Sequence, residues 1–241
     1  MAHQLAVNEV FGPTIQGEGP SCGRQAIFLR LAMCNLKCGY CDTPYTWDWK
    51  GENGKVYRKK DEVHIEDVEE LWGKLDLMKQ VPLLVITGGE PMLQQRALSH
   101  GLDWYGMPGS FSSVEIETNG TILPTEEFST RPDVFFNVSP KLANSANSRE
   151  KAINSKALYF FARHLRSRFK FVVQHSDQLD EVDSLVLRYG ISHSSVWIMP
   201  EGRSAERLEM RLVELADAVI SRGYNLSPRL HVVLWGDERG K

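Results

Sequence analysis

Seven apolar, β-branched runs, each bounded by turn residues, alternate with helical periods along this chain, and no other pattern restricts its fold so tightly. The runs lie at 25–33, 81–87, 113–118, 133–139, 168–174, 195–200 and 229–235. Between them, Ile65, Val68, Leu71, Trp72, Leu75 and Met78 share one helical face, as do Leu208, Leu212, Leu215, Ala216, Val219 and Ile220. Leu179, Val182, Leu185 and Val186 repeat the spacing, and 150–166 is a less regular helix. Strands that alternate with helices predict a mainly parallel sheet, and Leu83-Leu84-Val85-Ile86 has the continuous apolar character of a strand buried on both faces. The class is α/β. A complete eightfold barrel takes roughly 250 residues. This chain has 241 and spends part of them on an N-terminal segment and a polar stretch at 46–62, so an incomplete TIM-type barrel is expected. Weak helical pattern between 113–118 and 133–139 predicts trimmed helices. With no repeat, low-complexity tract or linker, 1–241 reads as one domain.

Distinctive polar residues follow the strands rather than precede them, and in a parallel sheet those ends share one rim. A cysteine loop follows the first run and Thr87-Gly88-Gly89-Glu90-Pro91 the second. Glu117-Thr118-Asn119-Gly120 ends the third, Ser139-Pro140-Lys141 the fourth and Gln174-His175 the fifth. Met199-Pro200-Glu201-Gly202 ends the sixth, and Trp235-Gly236-Asp237 the last. Each motif alone has a bland reading as a turn, because Gly, Pro and Asn mark turns everywhere. Seven of them on one rim point to a site.

The cysteine loop reads Cys34-Asn-Leu-Lys-Cys38-Gly-Tyr-Cys41. Thiolates select zinc, copper(I) or iron–sulfur over hard cations. A structural zinc ion takes four protein ligands, usually as two separated pairs. A single triplet suits a cubane cluster with one open iron. The alternative is a zinc knuckle completed by Cys22 or one of the seven histidines.

The C-x3-C-x2-C triplet, followed one βα unit later by Gly88-Gly89-Glu90-Pro91, resembles the signature of the radical S-adenosylmethionine (SAM) superfamily. That resemblance implies a [4Fe-4S] cluster on Cys34, Cys38 and Cys41, SAM chelating the open iron, and reductive cleavage to a 5′-deoxyadenosyl radical. Tyr40, just before the third cysteine, would pack on the adenine. The loop 11–20, with Ile15-Gln16-Gly17-Glu18-Gly19, is too poor in basic residues to cradle phosphate. Together with Arg30, Cys41-Asp42-Thr43 and Glu117-Thr118-Asn119-Gly120, it is similar to the pattern of the 7-carboxy-7-deazaguanine synthase family, over nearly the whole chain.

This second resemblance implies the roles of further residues. SAM would lie across Tyr40, Cys41, Asp42, Gly89, Ser139, Pro140, Lys141, Gln174, His175, Ser176 and Asp177. Ile15, Gln16, Gly17, Arg30 and Thr87 would hold the pterin substrate, making 8–24 an N-terminal substrate-loop segment. Thr43 would ligate Mg2+, a hard cation suited to a hydroxyl oxygen. Arg30 offers a two-pronged donor for a carboxylate. The implied reaction takes hydrogen from C6 of 6-carboxy-5,6,7,8-tetrahydropterin, contracts the ring and expels ammonia, giving 7-carboxy-7-deazaguanine on the route to queuosine. A flavodoxin or ferredoxin would supply the electron, and the chain would form a homodimer. Glu18, Glu117 and His193 are ionisable groups for the substrate face, none with an assigned acid or base role. The runner-up is a glycyl-radical-enzyme activase, against which the loop at 15–18 and Thr43 argue; a zinc-binding interaction module comes last.

A net charge of −3 and a pI near 6.2 offer no long-range attraction to nucleic acid or anionic membranes. The N-terminus lacks a basic stretch followed by an apolar one, no segment has the length of a membrane span, and three of the four cysteines are clustered. These features predict a cytoplasmic protein with reduced thiols, Cys22 being a packed or free one.

Overall fold

The computed structural model describes residues 3–78, 80–104 and 111–241. Among the described residues, nine strands form one sheet: β1 (Gln4–Ile15), β2 (Gln25–Leu31), β3 (His64–Asp67), β4 (Leu83–Gly88), β5 (Ser113–Thr118), β6 (Val134–Val138), β7 (Ser167–Val173), β8 (Val196–Pro200) and β9 (Asn225–Leu226). Their order is β3-β1-β2-β4-β5-β6-β7-β8-β9. From β2 to β9 every neighbour is parallel, whereas β1 runs antiparallel to both β2 and β3. The two ends do not pair, so the sheet stays open.

Helices α1 (Lys59–Glu62), α2 (Val68–Asp76), α3 (Gln95–Trp104), α4 (Glu126–Thr130), α5 (Arg149–Ala152), α6 (Ser155–Arg163), α7 (Leu179–Tyr189), α8 (Ala205–Ser221) and α9 (Leu230–Trp235) complete the fold. Their starts are written locally. Asp67 accepts the backbone N–H groups of Glu69 and Glu70, a cap of about 1 kcal/mol, and so starts α2 at Val68. Asn154 caps α6 and Ser204 caps α8 in the same way, and Gly190 ends α7 in the left-handed region.

Because strand side chains alternate, the parallel register sorts the sheet into two faces. Ile27, Leu29 and Leu31 of β2 line up with Leu84, Ile86, Val114, Ile116, Val134, Phe136, Val138, Phe169 and Phe171 to form one apolar face, which joins Leu71, Trp72, Leu158, Phe161, Val182 and Leu215 of the helices in the main core. The opposite face starts apolar with Ala26, Phe28, Leu83 and Val85 but turns polar across β5 to β7, where Glu115, Glu117, Asn137, Ser139 and Lys170 stand.

Several expectations are corrected. The run 229–235 is helix α9, not a strand; the last strand is β9, and Trp235-Gly236-Asp237 therefore ends a helix. Five apolar residues broken by His231 are ambiguous in period, and here only Val232 is buried while Val233 and Leu234 stay half exposed. Ile65 belongs to β3, paired with Ala6, rather than to the helix of Val68 to Leu75. Residues 150–166 divide into α5 and α6 at the Asn154 cap. The N-terminal segment is half strand: β1 runs to Ile15, and a loop follows whose base is closed by Gln16 N–H to Arg24 O and Gly23 N–H to Gln16 O, both 2.8 Å. α3 carries no counterpart among the expected helices, while the five-residue α4 matches the trimming expected between 113–118 and 133–139.

Candidate active site

The C-terminal strand ends and the loops beyond them enclose a cavity of about 730 Å³. Cys34, Cys38, Tyr40, Cys41, Asp42 and Thr43 line it, with Thr87 and Gly89 from the end of β4, Ser139 and Lys141 beyond β6, and Ile15, Gln16, Gly17 and Arg30 from the N-terminal hairpin. Four expected residues lie outside this lining, on the rim beyond β7: Gln174, whose N–H donates to Gln178, exposed His175 near Glu214, Ser176 and Asp177. Pro140 is also outside it, between two lining neighbours.

The cysteine loop is bound to its surroundings by motifs far apart in sequence. Gly89 N–H donates to Leu31 O at 3.0 Å and Glu90 N–H to Met33 O at 2.8 Å. A β-carbon on Gly89 would lie 2.0 Å from Met33 O and 2.9 Å from Cys34 N, so this approach admits only glycine. Fully buried Glu90 accepts from Met92 N–H, Thr118 Oγ1 and Asn119 N–H at 3.0, 2.8 and 2.7 Å. Burial pushes its pKa up against those bonds. Asn119 in turn donates to Asn35 Oδ1 at 2.9 Å, tying the Thr-Asn-Gly turn to the cysteine loop.

The donor set suits a cluster. Among the described residues no three His, Cys, Asp or Glu side chains converge as a mononuclear metal site requires, whereas a cubane takes one thiolate at each of three separate irons. Burial pushes the Cys34 thiol up to about 12, and burial also raises Cys41. Bound iron must displace these protons. Cys22 stands apart, its thiol donating to Gly17 O at 3.4 Å.

Facing the cysteines is an ionic network that the sequence reading left unassembled. Lys170 Nζ donates to Glu18 Oε2 at 2.6 Å and Glu117 Oε2 at 2.8 Å; Arg229 Nε donates to Glu18 Oε1 at 2.9 Å, and its Nη2 reaches Asp42. Burial opposes ionisation of Glu18, but Lys170 and Arg229 outweigh it and hold the carboxylate well below its usual range. Arg229 likewise keeps Asp42 low against burial. His231 is 3.8 Å from Glu18, and burial lowers its pKa. His193 does not join them: it precedes β8, at the opposite end of the sheet, and pairs with Arg222 O. A lysine inside Phe169-Lys170-Phe171-Val172-Val173 was the available signal, since a charge in an apolar strand needs a buried partner.

The tail also reaches the cavity. Residues 236–241 line it, and Arg239 pairs with Glu9 at 3.1 Å and Glu62 at 3.0 Å, its guanidinium 4.0 Å from the Tyr45 ring centroid. Glu9 also accepts from Arg30 Nε at 2.7 Å. Among the described residues Nη1 and Nη2 of Arg30 have no hydrogen-bond partner.

Residues 15–108 match the family described as 4Fe-4S single cluster domain. The fold is similar to that of QueE from Escherichia coli, with a TM-score of 0.67 and 27% identity over 95% of both chains. It also resembles Streptococcus suis SuiB bound to S-adenosylmethionine, with a TM-score of 0.52 and 16% identity over 81% of this chain and 47% of that one, a likeness of fold. A 7-carboxy-7-deazaguanine synthase of Pyrobaculum aerophilum is 37% identical across 99% of this chain and 98% of its own length. Similarity of that extent, in a chain whose cysteine loop, Gly-Gly turn and N-terminal hairpin meet at one cavity, places it in the 7-carboxy-7-deazaguanine synthase family.

Proposed function

We propose that the chain converts 6-carboxy-5,6,7,8-tetrahydropterin to 7-carboxy-7-deazaguanine and ammonia as a radical SAM enzyme of queuosine biosynthesis. One observation carries this reading: the three cysteines, Gly89 and the Ile15–Gly17 loop with Arg30 line a single cavity. Its volume of about 730 Å³ lies within the roughly 300–1,000 Å³ of small-molecule sites.

Cys34, Cys38 and Cys41 hold the [4Fe-4S] cluster. Tyr40, Asp42, Gly89, Ser139 and Lys141 take SAM, with Gln174, His175, Ser176 and Asp177 at the outer rim. When bound, cluster and SAM would supply the radical chemistry at the substrate. The chain supplies position and exclusion of water. Arg30, steadied by Glu9, presents its Nη edge to the substrate carboxylate. Gln16, Gly17 and Thr87 border the ring, and Gln16 Nε2 donates to Glu117 Oε1 at 3.3 Å, which places an amide and a carboxylate side by side for the donors and acceptors of a pterin edge. The Lys170–Glu18–Arg229 network keeps Glu18 ionised, and Lys170 also pairs with Glu117. Thr43, whose carbonyl accepts from Thr46 Oγ1 and whose hydroxyl lies 3.8 Å from Cys41 Sγ, would turn that hydroxyl to Mg2+, which would orient the carboxylate. With one cysteine triplet in the chain the electron comes from outside, from a flavodoxin or ferredoxin.

Anaerobic incubation of the reconstituted protein with SAM, reductant, Mg2+ and the pterin is expected to yield both 5′-deoxyadenosine and 7-carboxy-7-deazaguanine by mass spectrometry. Deoxyadenosine without the deazaguanine would refute the substrate and keep the SAM chemistry. Thr43→Ala is expected to lower turnover roughly tenfold, the effect of about 1.4 kcal/mol in the barrier, and to flatten the Mg2+ dependence with iron content unchanged. An unaltered Mg2+ titration would remove Thr43 from the site.

A further inference from the structure

Two side chains that no part of the proposed reaction uses donate hydrogen bonds to cysteine sulfurs. Trp47 Nε1–H points at Cys41 Sγ, 3.3 Å away, and Asn147 Nδ2–H at Cys38 Sγ, also 3.3 Å away. Neither contact is incidental to a mobile side chain. Trp47 is buried and follows a tight turn at Pro44–Thr46, closed by its own N–H to Pro44 O at 3.1 Å and by Asp48 N–H to the same oxygen at 2.7 Å. The turn is pinned to the cysteine loop by Met33 N–H to Thr46 O at 2.8 Å. Asn147 is held from both ends: its Oδ1 accepts from Lys37 N–H at 3.0 Å, and its Nδ2 also lies 3.2 Å from Ser145 Oγ. That backbone donor fixes the carboxamide orientation, because a flipped amide would set two donors against each other. Gly39 N–H donates to Ser145 O at 3.0 Å, so the segment carrying Asn147 clamps the outside of the cysteine loop.

In an apo protein these sulfurs are weak acceptors; as cluster ligands they carry the cluster's negative charge, which increases on reduction. A hydrogen bond to a ligating sulfur therefore stabilises the reduced state more than the oxidised one, and hydrogen bonding to sulfur is one of the levers that set cluster potentials. Resting on the assignment of Cys38 and Cys41 as cluster ligands, we infer that Trp47 and Asn147 are tuning residues that raise the reduction potential of the [4Fe-4S] cluster. Both donors are neutral, so they shift the potential without adding a charge that would compete with Lys170 or Arg229 for the cavity's carboxylates.

The test is a redox titration of the anaerobically reconstituted protein without SAM, followed by electron paramagnetic resonance. Trp47→Phe keeps the ring and deletes the N–H; Asn147→Ala deletes the carboxamide. Each is expected to move the midpoint potential to a more negative value at unchanged iron and sulfide content, and the double variant to move it further. Unchanged or raised potentials with a full cluster would overturn the inference while leaving the cluster assignment standing. A wild-type protein that assembles no cluster would overturn both. If a variant loses its cluster on folding, the wild-type protein itself decides: electron–nuclear double resonance of the reduced cluster in deuterated buffer should reveal exchangeable protons coupled to it at hydrogen-bond range, and their absence refutes the donors.

Discussion

Cys38→Ala is expected to leave the protein folded, without a cluster, and with 5′-deoxyadenosine formation at background. The cysteine loop holds three sulfurs and nothing in reserve: Cys22, the fourth cysteine of the chain, has its thiol on Gly17 O. A cubane deprived of one of three thiolates has two corners to exchange with solvent instead of one. Folding survives because the loop is fastened by backbone and amide bonds that do not involve the Cys38 thiol, among them Gly39 N–H to Ser145 O and Asn119 to Asn35. Truncating a buried cysteine to alanine removes one sulfur from packing, on the order of 1 kcal/mol. Iron and sulfide content, the electron paramagnetic resonance spectrum after reduction and a circular dichroism melt measure the three parts separately. A retained cluster with full SAM cleavage would refute the ligand assignment.

Gly89→Ala is expected to do comparable damage with every cysteine intact. The added methyl group would meet Met33 O, Met33 C and Cys34 N at 2.0, 2.4 and 2.9 Å, all backbone atoms, so no side-chain rotation relieves it. Either strand β4 separates from the cysteine loop, breaking Gly89 N–H to Leu31 O and Glu90 N–H to Met33 O, or the loop moves and carries Cys34 with it. Overpacking of this kind costs on the order of 3 kcal/mol. The loop already contains Met33 at φ 74°, a left-handed conformation unusual for a side-chain residue, which leaves it little room to adjust. The expected outcome is a lowered melting temperature, incomplete iron incorporation and SAM cleavage reduced by two orders of magnitude or more, since about 1.4 kcal/mol is a factor of ten. A variant with wild-type stability and SAM cleavage would show that the approach at Gly89 is not needed.

The parallel core was legible because six runs of β-branched residues are long and bounded by turns, and a buried parallel strand can hardly be written otherwise. What escaped were elements whose residues carry no dominant period. β1 contains Gly12 and Pro13 and shifts register between Phe11 and Thr14, so it reads as a loop. The run at 229–235 has five apolar residues, broken by His231, and satisfies strand and helix templates alike, and the structure decides by putting Val232 inward and Val233 outward. The candidate site was legible where backbone constraint leaves a mark, as in the cysteine triplet and the Gly-Gly turn, which meet at one cavity. It was illegible where side chains from distant segments meet, as with Lys170 of β7, Arg229 before α9 and Glu18 of the N-terminal loop, because an ion pair spanning 152 positions leaves no local trace. Trp47 and Asn147 were hidden for the same reason, looking like ordinary loop residues until the sulfurs beside them were placed.

The division of the sheet into a helix-packed apolar face and a cavity face has a consequence for how such a protein can change over generations. Along β5 and β7, Ile116 and Phe171 answer to the core while Glu117 and Lys170, each one position away, answer to the cavity. Substitutions at the first pair alter how much folded protein a cell accumulates; those at the second alter what the folded protein recognises. The two requirements interleave along the strand yet are discharged on opposite sides of the backbone, so a lineage can revise its chemistry at every second residue while the alternate residues keep the scaffold standing.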